Sequence, residues 1–206
     1  MKRFTQFICL ALMLSTLFIF TACGTPKTTT GAKDSANSTT STAKSDSTKV
    51  KVTMDDRKTF TIKCNPEMAP ETCKNFLKLV SEGFYDGLTF HRVLDDFMAQ
   101  GGDPKGDGTG GSETQIKGEF SSNDFAQNTL KHKRGTVSMA RSSAPDSASS
   151  QFFICYKDTP HLDGSYAAFG EVTEGMEVVD DFLKIKRDTA GKPEKPITIK
   201  KMELID

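Results

Sequence analysis

Polar and apolar residues alternate from Val50 to Met54 and again from Phe60 to Cys64, which predicts two half-buried strands. Asp55-Asp56 supplies the turn between them, and Asn65-Pro66 ends the second. From Pro70 the period changes. Cys73, Phe76, Leu77, Val80 and Phe84 recur every three or four residues, predicting one helix with Pro70 in its first turn and Gly83 near its end. Short strands are expected over 88–94 and 97–101, followed by a glycine-rich loop over 102–118. Further strands are expected at 135–140, 151–156 and 166–172. Met176, Val179 and Leu183 share one side of a second helix over 176–186. Ile197 and Ile199 open a last strand, but Met202 and Leu204 continue it on the other parity. A one-residue slip flips the buried face unless a bulge absorbs it, so a bulge is predicted near Lys200-Lys201. Many short strands with two helices make a mainly β barrel or sandwich, which periodicity does not separate.

The first part of the chain reads differently. Lys2 and Arg3 precede an apolar run, Phe7–Phe20, broken only by Ser15 and Thr16. It is short of the about 20 residues that an ordinary membrane span needs, so residues 1–22 read as a signal peptide. The run ends in Thr21-Ala22-Cys23-Gly24, which resembles the lipobox of bacterial lipoproteins, with Phe20 where leucine is usual. That resemblance implies lipidation of Cys23 and an anchor on the extracytoplasmic face of a cell membrane. An ordinary signal peptide cut nearby is the alternative. Residues 23–49, rich in Thr, Ser and Lys, bury too little to offset ordering entropy and read as a tether. A flexible chain of this length spans roughly 25–30 Å.

Charge places the rest. The whole chain balances 27 basic against 27 acidic residues, and the domain over 50–206 is mildly acidic. That argues against nucleic acid, which calls for a basic stripe. Cys64, Cys73 and Cys155 sit among apolar residues and read as free, buried thiols. Outside the cytoplasm one pair could oxidise, but spacing alone does not supply bridge geometry. No metal-ligand spacing appears and no cofactor is expected.

Neither an activated nucleophile nor a carboxylate pair stands out. His91, His132 and His161 are scattered and read as surface or packing residues. Gly106-Asp107-Gly108-Thr109-Gly110-Gly111 lacks the lysine of a phosphate loop and the closing glutamate of a calcium loop. It reads as a loop that needs glycine conformations.

What remains is a fixed cation among large apolar side chains. Phe90-His91-Arg92-Val93 runs into Phe97-Met98-Ala99-Gln100-Gly101-Gly102-Asp103, and Ser150-Gln151-Phe152-Phe153-Ile154 lies far downstream. Arginine stays charged and offers a planar fork of donors. This is the make-up of a shallow apolar pocket with a cation at its rim. Together with His161-Leu162-Asp163-Gly164-Ser165-Tyr166 and Phe169-Gly170, these segments resemble the cyclophilin family of peptidyl-prolyl isomerases, in order and spacing, over residues 50–206.

The resemblance implies a closed eight-stranded antiparallel barrel capped by two helices, with its groove on the outside. It implies catalysis by Arg92, with Gln100 near the substrate backbone and helping to hold Arg92. Phe97, Met98, Phe153 and Leu162 would wall the proline pocket. Ala140 and the Arg141 backbone, with Gln151, would bind the substrate chain, and Gly108 and Thr109 would edge a neighbouring pocket. His161 stands where well-known animal members have tryptophan, Arg141 where they have asparagine and Tyr166 where they have histidine. Tyr166 would still close the pocket, whereas loss of the indole donor weakens the expectation of tight cyclosporin binding. Proline-containing polypeptides are the expected partners of a monomeric enzyme. A prolyl-peptide receptor with little turnover, tolerant of losing Arg92, stays open as an alternative. A solute-binding lipoprotein fits the leader, but the domain is short for one and lacks its two-lobed α/β pattern.

Overall fold

A computed structural model describes residues 47–206. The expected signal peptide, Cys23 and most of the tether lie outside the described residues. The described residues include two contacts made just before the expected domain start. Ser47 Oγ donates to Ile205 O, and Cys64 N donates to Thr48 O at 2.8 Å.

Eight antiparallel strands form one curled sheet. They are β1 (Lys49–Met54), β2 (Thr59–Cys64), β3 (Thr89–Val93), β4 (Met98–Asp103), β5 (Thr136–Met139), β6 (Phe152–Cys155), β7 (Ala168–Glu174) and β8 (Ile199–Ile205). Their spatial order is β3-β4-β6-β5-β7-β2-β1-β8. The end strands meet across a single bridge, Thr89↔Thr198, flanked by Phe90 N to Ile197 O at 2.9 Å and Ile199 N to Leu88 O at 2.8 Å. The barrel is therefore stitched along one short seam rather than closed by an eighth full ladder, a correction to the closed barrel expected. The predicted bulge is present. Thr53 pairs with Lys201 and Met54 with Ile199, leaving Lys200 as the extra residue.

Helix α1 (Pro70–Ser81) turns Cys73, Phe76, Leu79 and Val80 inward. Ala69 at its start offers no side-chain cap. The buried Glu119 carboxylate does that work from a distant loop, accepting Glu71 N at 2.9 Å and Thr72 N at 2.8 Å. At the other end Gly83 takes φ 70°, with Gly83 N on Val80 O and Phe84 N on Leu79 O. That is a helix stop that a left-handed residue permits. Helix α2 (Met176–Asp181) is shorter than predicted, because the chain tightens into a 3₁₀ turn over Phe182–Lys184. Phe182 is buried there, its ring centroid 4.9 Å from that of Phe90. Helix α1 packs on β7 and β8, and α2 on β2.

Strand alternation divides the apolar residues into two clusters. One fills the barrel and holds Phe60, Phe76, Phe90, Phe152, Ile154 and Phe169. The other lies on the outer face and holds Met98, Phe153, Cys155 and Leu162, with Leu94, Phe97, Ala140 and Tyr166 against it. Phe152 and Ile154 face inward, Phe153 and Cys155 outward. Cys64, Cys73 and Cys155 are free and buried. Burial pushes the Cys155 thiol up to about 11, and contact with Cys73 together with burial raises that of Cys64. Among the described residues no helix is long and apolar enough to cross a membrane.

Candidate active site

The site rests on one cross-strand row. Arg92 on β3 pairs with Gln100 on β4, Gln100 with Phe153 on β6, and Phe153 with Ser138 on β5. Residues in register across a sheet stand on the same face, so the row lines up a cation, an amide and a ring. A local irregularity in β3 turns Arg92 outward. Phe90 pairs with Gly101 and Arg92 with Gln100, so His91 is an extra residue, while Gly102 is its counterpart on β4. As a result Phe90 and Val93, three apart, both enter the core, which strict alternation forbids, and Arg92 between them stays exposed. Gly102 has φ 82°, and a Cβ there would lie 2.5 Å from Ser150 O, so only glycine fits.

Arg92, Phe97, Met98, Gln100, Ala140, Arg141, Phe153, Leu162 and Tyr166 enclose a cavity of about 260 Å³. Met98 and Phe153 retain 2% and 5% exposure, so they form its floor rather than a surface patch. The Tyr166 ring stands edge-on to Phe153 at 6.0 Å. Beside this cavity lies a groove of about 530 Å³ that shares Gln100, Ala140 and Arg141 with it. Gly108, Thr109 and Gln151 line that groove and not the ring-sized cavity. His161 lines neither; its ring lies tilted beside that of Phe97, with centroids 5.8 Å apart. Cys23 lies outside the described residues.

Two expected contacts take a different form. Gln100 does not hold Arg92. Its Nε2 donates to Gln151 Oε1 at 2.8 Å, and Gln151 Nε2 donates to Gly110 O at 2.7 Å and Gly108 O at 3.1 Å. Arg92 and Gln100 are register partners without a side-chain hydrogen bond between them. The Ala140 N–H donates to Gln151 O at 2.9 Å, so it is not a donor for a bound peptide.

The glycine-rich loop is organised by one carboxylate. Asp103, 1% exposed, accepts Lys105 N at 2.8 Å, Gly108 N at 2.6 Å and Asp107 N at 3.1 Å. Burial works to raise its pKa, but these backbone donors hold it below the usual carboxylate range. The segment is thus a fixed backbone loop that presents Gly108 and Thr109 to the groove.

Sequence reasoning missed a buried chain beneath Phe153. His132 Nε2 lies 3.0 Å from Ser138 Oγ, and His132 Nδ1 lies 3.0 Å from Asp163 Oδ1. The imidazole stacks on the Phe153 ring at 6.1 Å and 16°. This is the order of groups in a hydrolytic triad, but Ser138 is wholly buried and cannot reach a substrate. The chain instead supports the floor and ties it to the loop that carries Leu162 and Tyr166. No pairwise spacing announces it, because His132 and Asp163 are 31 residues apart. Burial lowers the pKa of His132. Burial opposes ionisation of Asp163 too, yet hydrogen bonds from the His132 backbone and ring keep its pKa low. His91 is also buried, with both ring nitrogens unpartnered, and burial lowers its pKa. Among the described residues no cluster of three or more metal-ligating side chains occurs.

The fold and the groove define a β-barrel with an open groove on its outer face, beside a ring-sized slot lined by the Arg92 side chain. Comparison with known proteins agrees. Residues 49–204 match the family described as cyclophilin type peptidyl-prolyl cis-trans isomerase/CLD. A peptidyl-prolyl cis-trans isomerase of Helicobacter pylori is 50% identical over 121 residues, 58% of this chain and 69% of that protein. Peptidyl-prolyl cis-trans isomerase B of Bacillus subtilis is 50% identical over 112 residues, covering 54% of this chain and 74% of that one. A crystal structure of a Cryptosporidium parvum cyclophilin type isomerase, in the presence of the dipeptide Ala-Pro, superposes with a TM-score of 0.69 at 32% identity, covering 77% of this chain and 99% of that one. The chain belongs to the cyclophilin-type peptidyl-prolyl cis-trans isomerases.

Proposed function

We propose that this isomerase accelerates rotation about X-Pro bonds in exported polypeptides, with Arg92 stabilising the twisted amide. The barrier, about 18–20 kcal/mol, comes from partial double-bond character in the C–N bond. Before proline the isomers differ little in energy, yet exchange unaided takes tens to hundreds of seconds. In the twisted form the nitrogen becomes pyramidal and gains a lone pair. A donor aimed at that nitrogen acts only in the transition state, which is what catalysis requires. The apolar floor of Met98, Phe153 and Leu162 holds the prolyl ring while the rest of the chain turns. No bond is made or broken, so no nucleophile is needed.

The observation that carries this reading is the register of Arg92 with Gln100 and Phe153 over the 260 Å³ cavity. Among the described residues Arg92 has no ion pair or side-chain hydrogen bond to give up when substrate arrives. The test is a protease-coupled or exchange-NMR assay on a proline peptide with the full-length chain. Equal rates for wild type and Arg92→Ala would remove Arg92 from the mechanism.

The extracytoplasmic setting rests on the leader. Its positive start, apolar run and Cys23 support a lipid-anchored enzyme held off a membrane by the tether. Mass spectrometry of the mature N-terminus checks it: a diacylglycerol-modified Cys23 is expected, and an unmodified one ends the anchor proposal.

A further inference from the structure

Arg141 stands at the junction of the two cavities and lines both. Its side chain does not hang free. Nε and Nη2 both donate to Ser165 O, at 3.1 and 2.8 Å, and Nη1 donates to Ser142 O at 2.8 Å. The guanidinium carbon lies 4.6 Å from the centroid of the Tyr166 ring and 5.1 Å from that of Phe120. Among the described residues its partners are carbonyls and aromatic faces. A planar fork suits this arrangement: two parallel donors take one carbonyl while the flat face lies over a ring.

We infer that Arg141 is a positioning residue, whose guanidinium fixes Tyr166 as one wall of the prolyl pocket. The inference rests on the isomerase reading above and deepens it. The Ser165 carbonyl belongs to the residue just before Tyr166, so two hydrogen bonds hold the backbone that carries the ring. The stacked guanidinium then covers the ring itself, while Phe153 meets it edge-on at 6.0 Å. The third bond, to Ser142 O, folds the guanidinium back onto its own loop, next to the Arg141 backbone. The side chain therefore links its own loop to the segment that carries Tyr166. Arg141 itself does not act on the amide nitrogen; that place belongs to Arg92. A wall grips the ring alike in the planar and twisted states, so its loss weakens binding more than turnover.

The test uses Arg141→Ala and Arg141→Lys in the full-length chain. Arg141→Ala is expected to raise KM about tenfold, with kcat held within about twofold. Lysine keeps the charge but not the fork, so Arg141→Lys is expected to fall between Ala and wild type. A second readout follows Tyr166 directly. The chain has three tyrosines and no tryptophan. Tyr85 and Tyr156 are buried, their hydroxyls bonded to Ser150 O and Val179 O, which leaves Tyr166 as the half-buried one. Nitration by tetranitromethane, mapped by peptide mass spectrometry, is expected to speed up several-fold at Tyr166 in Arg141→Ala and less in Arg141→Lys. In a Tyr166→Ala background, Arg141→Ala is expected to raise KM no further.

An unchanged KM and nitration rate would overturn the inference. So would a fall in kcat at constant KM, or additive effects in the double variant. If Arg141→Ala loses its folded circular dichroism, Arg141→Lys decides by the same readouts. A wild-type chain with no isomerase activity would defeat the functional reading alone, since the nitration comparison still reports on Arg141 and Tyr166.

Discussion

Gln100 and Gln151 face each other across 2.8 Å and join the two halves of the groove. Gln100 lines the smaller cavity, while Gln151 extends the contact to the carbonyls of Gly110 and Gly108. The loop edge, with Thr109, is thereby indexed to the strand that carries the pocket floor. Replacing Gln151 by leucine removes both loop contacts and strands the Gln100 amide. The expected outcome is a fall in kcat/KM of about tenfold, with faster amide exchange over residues 107–111. Hydrogen-exchange mass spectrometry beside the peptide assay checks it; an unaltered loop with a slower enzyme would place Gln151 against substrate alone.

The role proposed for Arg92 separates catalysis from stability. It is exposed and carries no side-chain hydrogen bond among the described residues, so the described fold does not depend on it. Arg92→Ala is expected to lower kcat/KM by about 10²-fold or more, as for loss of one transition-state donor. The melting temperature should stay within about 1 °C. A large drop in melting temperature would mean that the guanidinium braces the sheet.

Glu119 should behave in the opposite way. It caps α1 from outside the helix and is 1% exposed. Glu119→Ala leaves two helix N–H groups without acceptors in a buried setting and opens a small void. A loss of about 2–4 kcal/mol is expected in urea unfolding, with kcat/KM unchanged well below the transition. A loss under about 0.5 kcal/mol would show that water or a neighbour replaces the cap.

Two buried imidazoles set a pH dependence. His132 and His91 have pKa values lowered by burial, so the folded state binds fewer protons than the unfolded chain just below the free histidine pKa of about 6.5. Stability therefore rises with pH through that window and is fully present above it. It falls as pH drops below about 6.5. Asp163 adds a second loss at lower pH, since its depressed pKa contributes stability that is present above about 4 and disappears as the carboxyl protonates. Urea midpoints between pH 5.5 and 7.5 should decline toward acid, and His132→Gln should flatten the decline. A flat wild-type profile would contradict the assignment of neutral buried rings.

Much of this was legible in the residues. Alternation over Val50–Met54 and Phe60–Cys64 located β1 and β2, and the parity change at Lys200 located a bulge. The period from Cys73 to Phe84 located α1, with Pro70 and Gly83 marking its ends. Most of the pocket was legible through motif resemblance: nine of the named residues do line one cavity. What escaped were contacts between distant segments. Glu119 caps a helix 47 residues away in sequence, and His132 meets Asp163 across 31 residues. Such pairs leave no periodic trace. The early tightening at Phe182 escaped as well, because a 3₁₀ turn keeps the helical spacing of Val179 and Phe182 while rotating the end of the element.

The extra residue at His91 has a genetic corollary. Any side chain that fits can sit at that position without moving its neighbours, but deleting one codon between Phe90 and Val93 would swing the arginine into the barrel or drag a core ring out of it. Around His91 the count of residues therefore matters more than the identity of that one side chain, and a change of length there is expected to harm the site more than a substitution at His91.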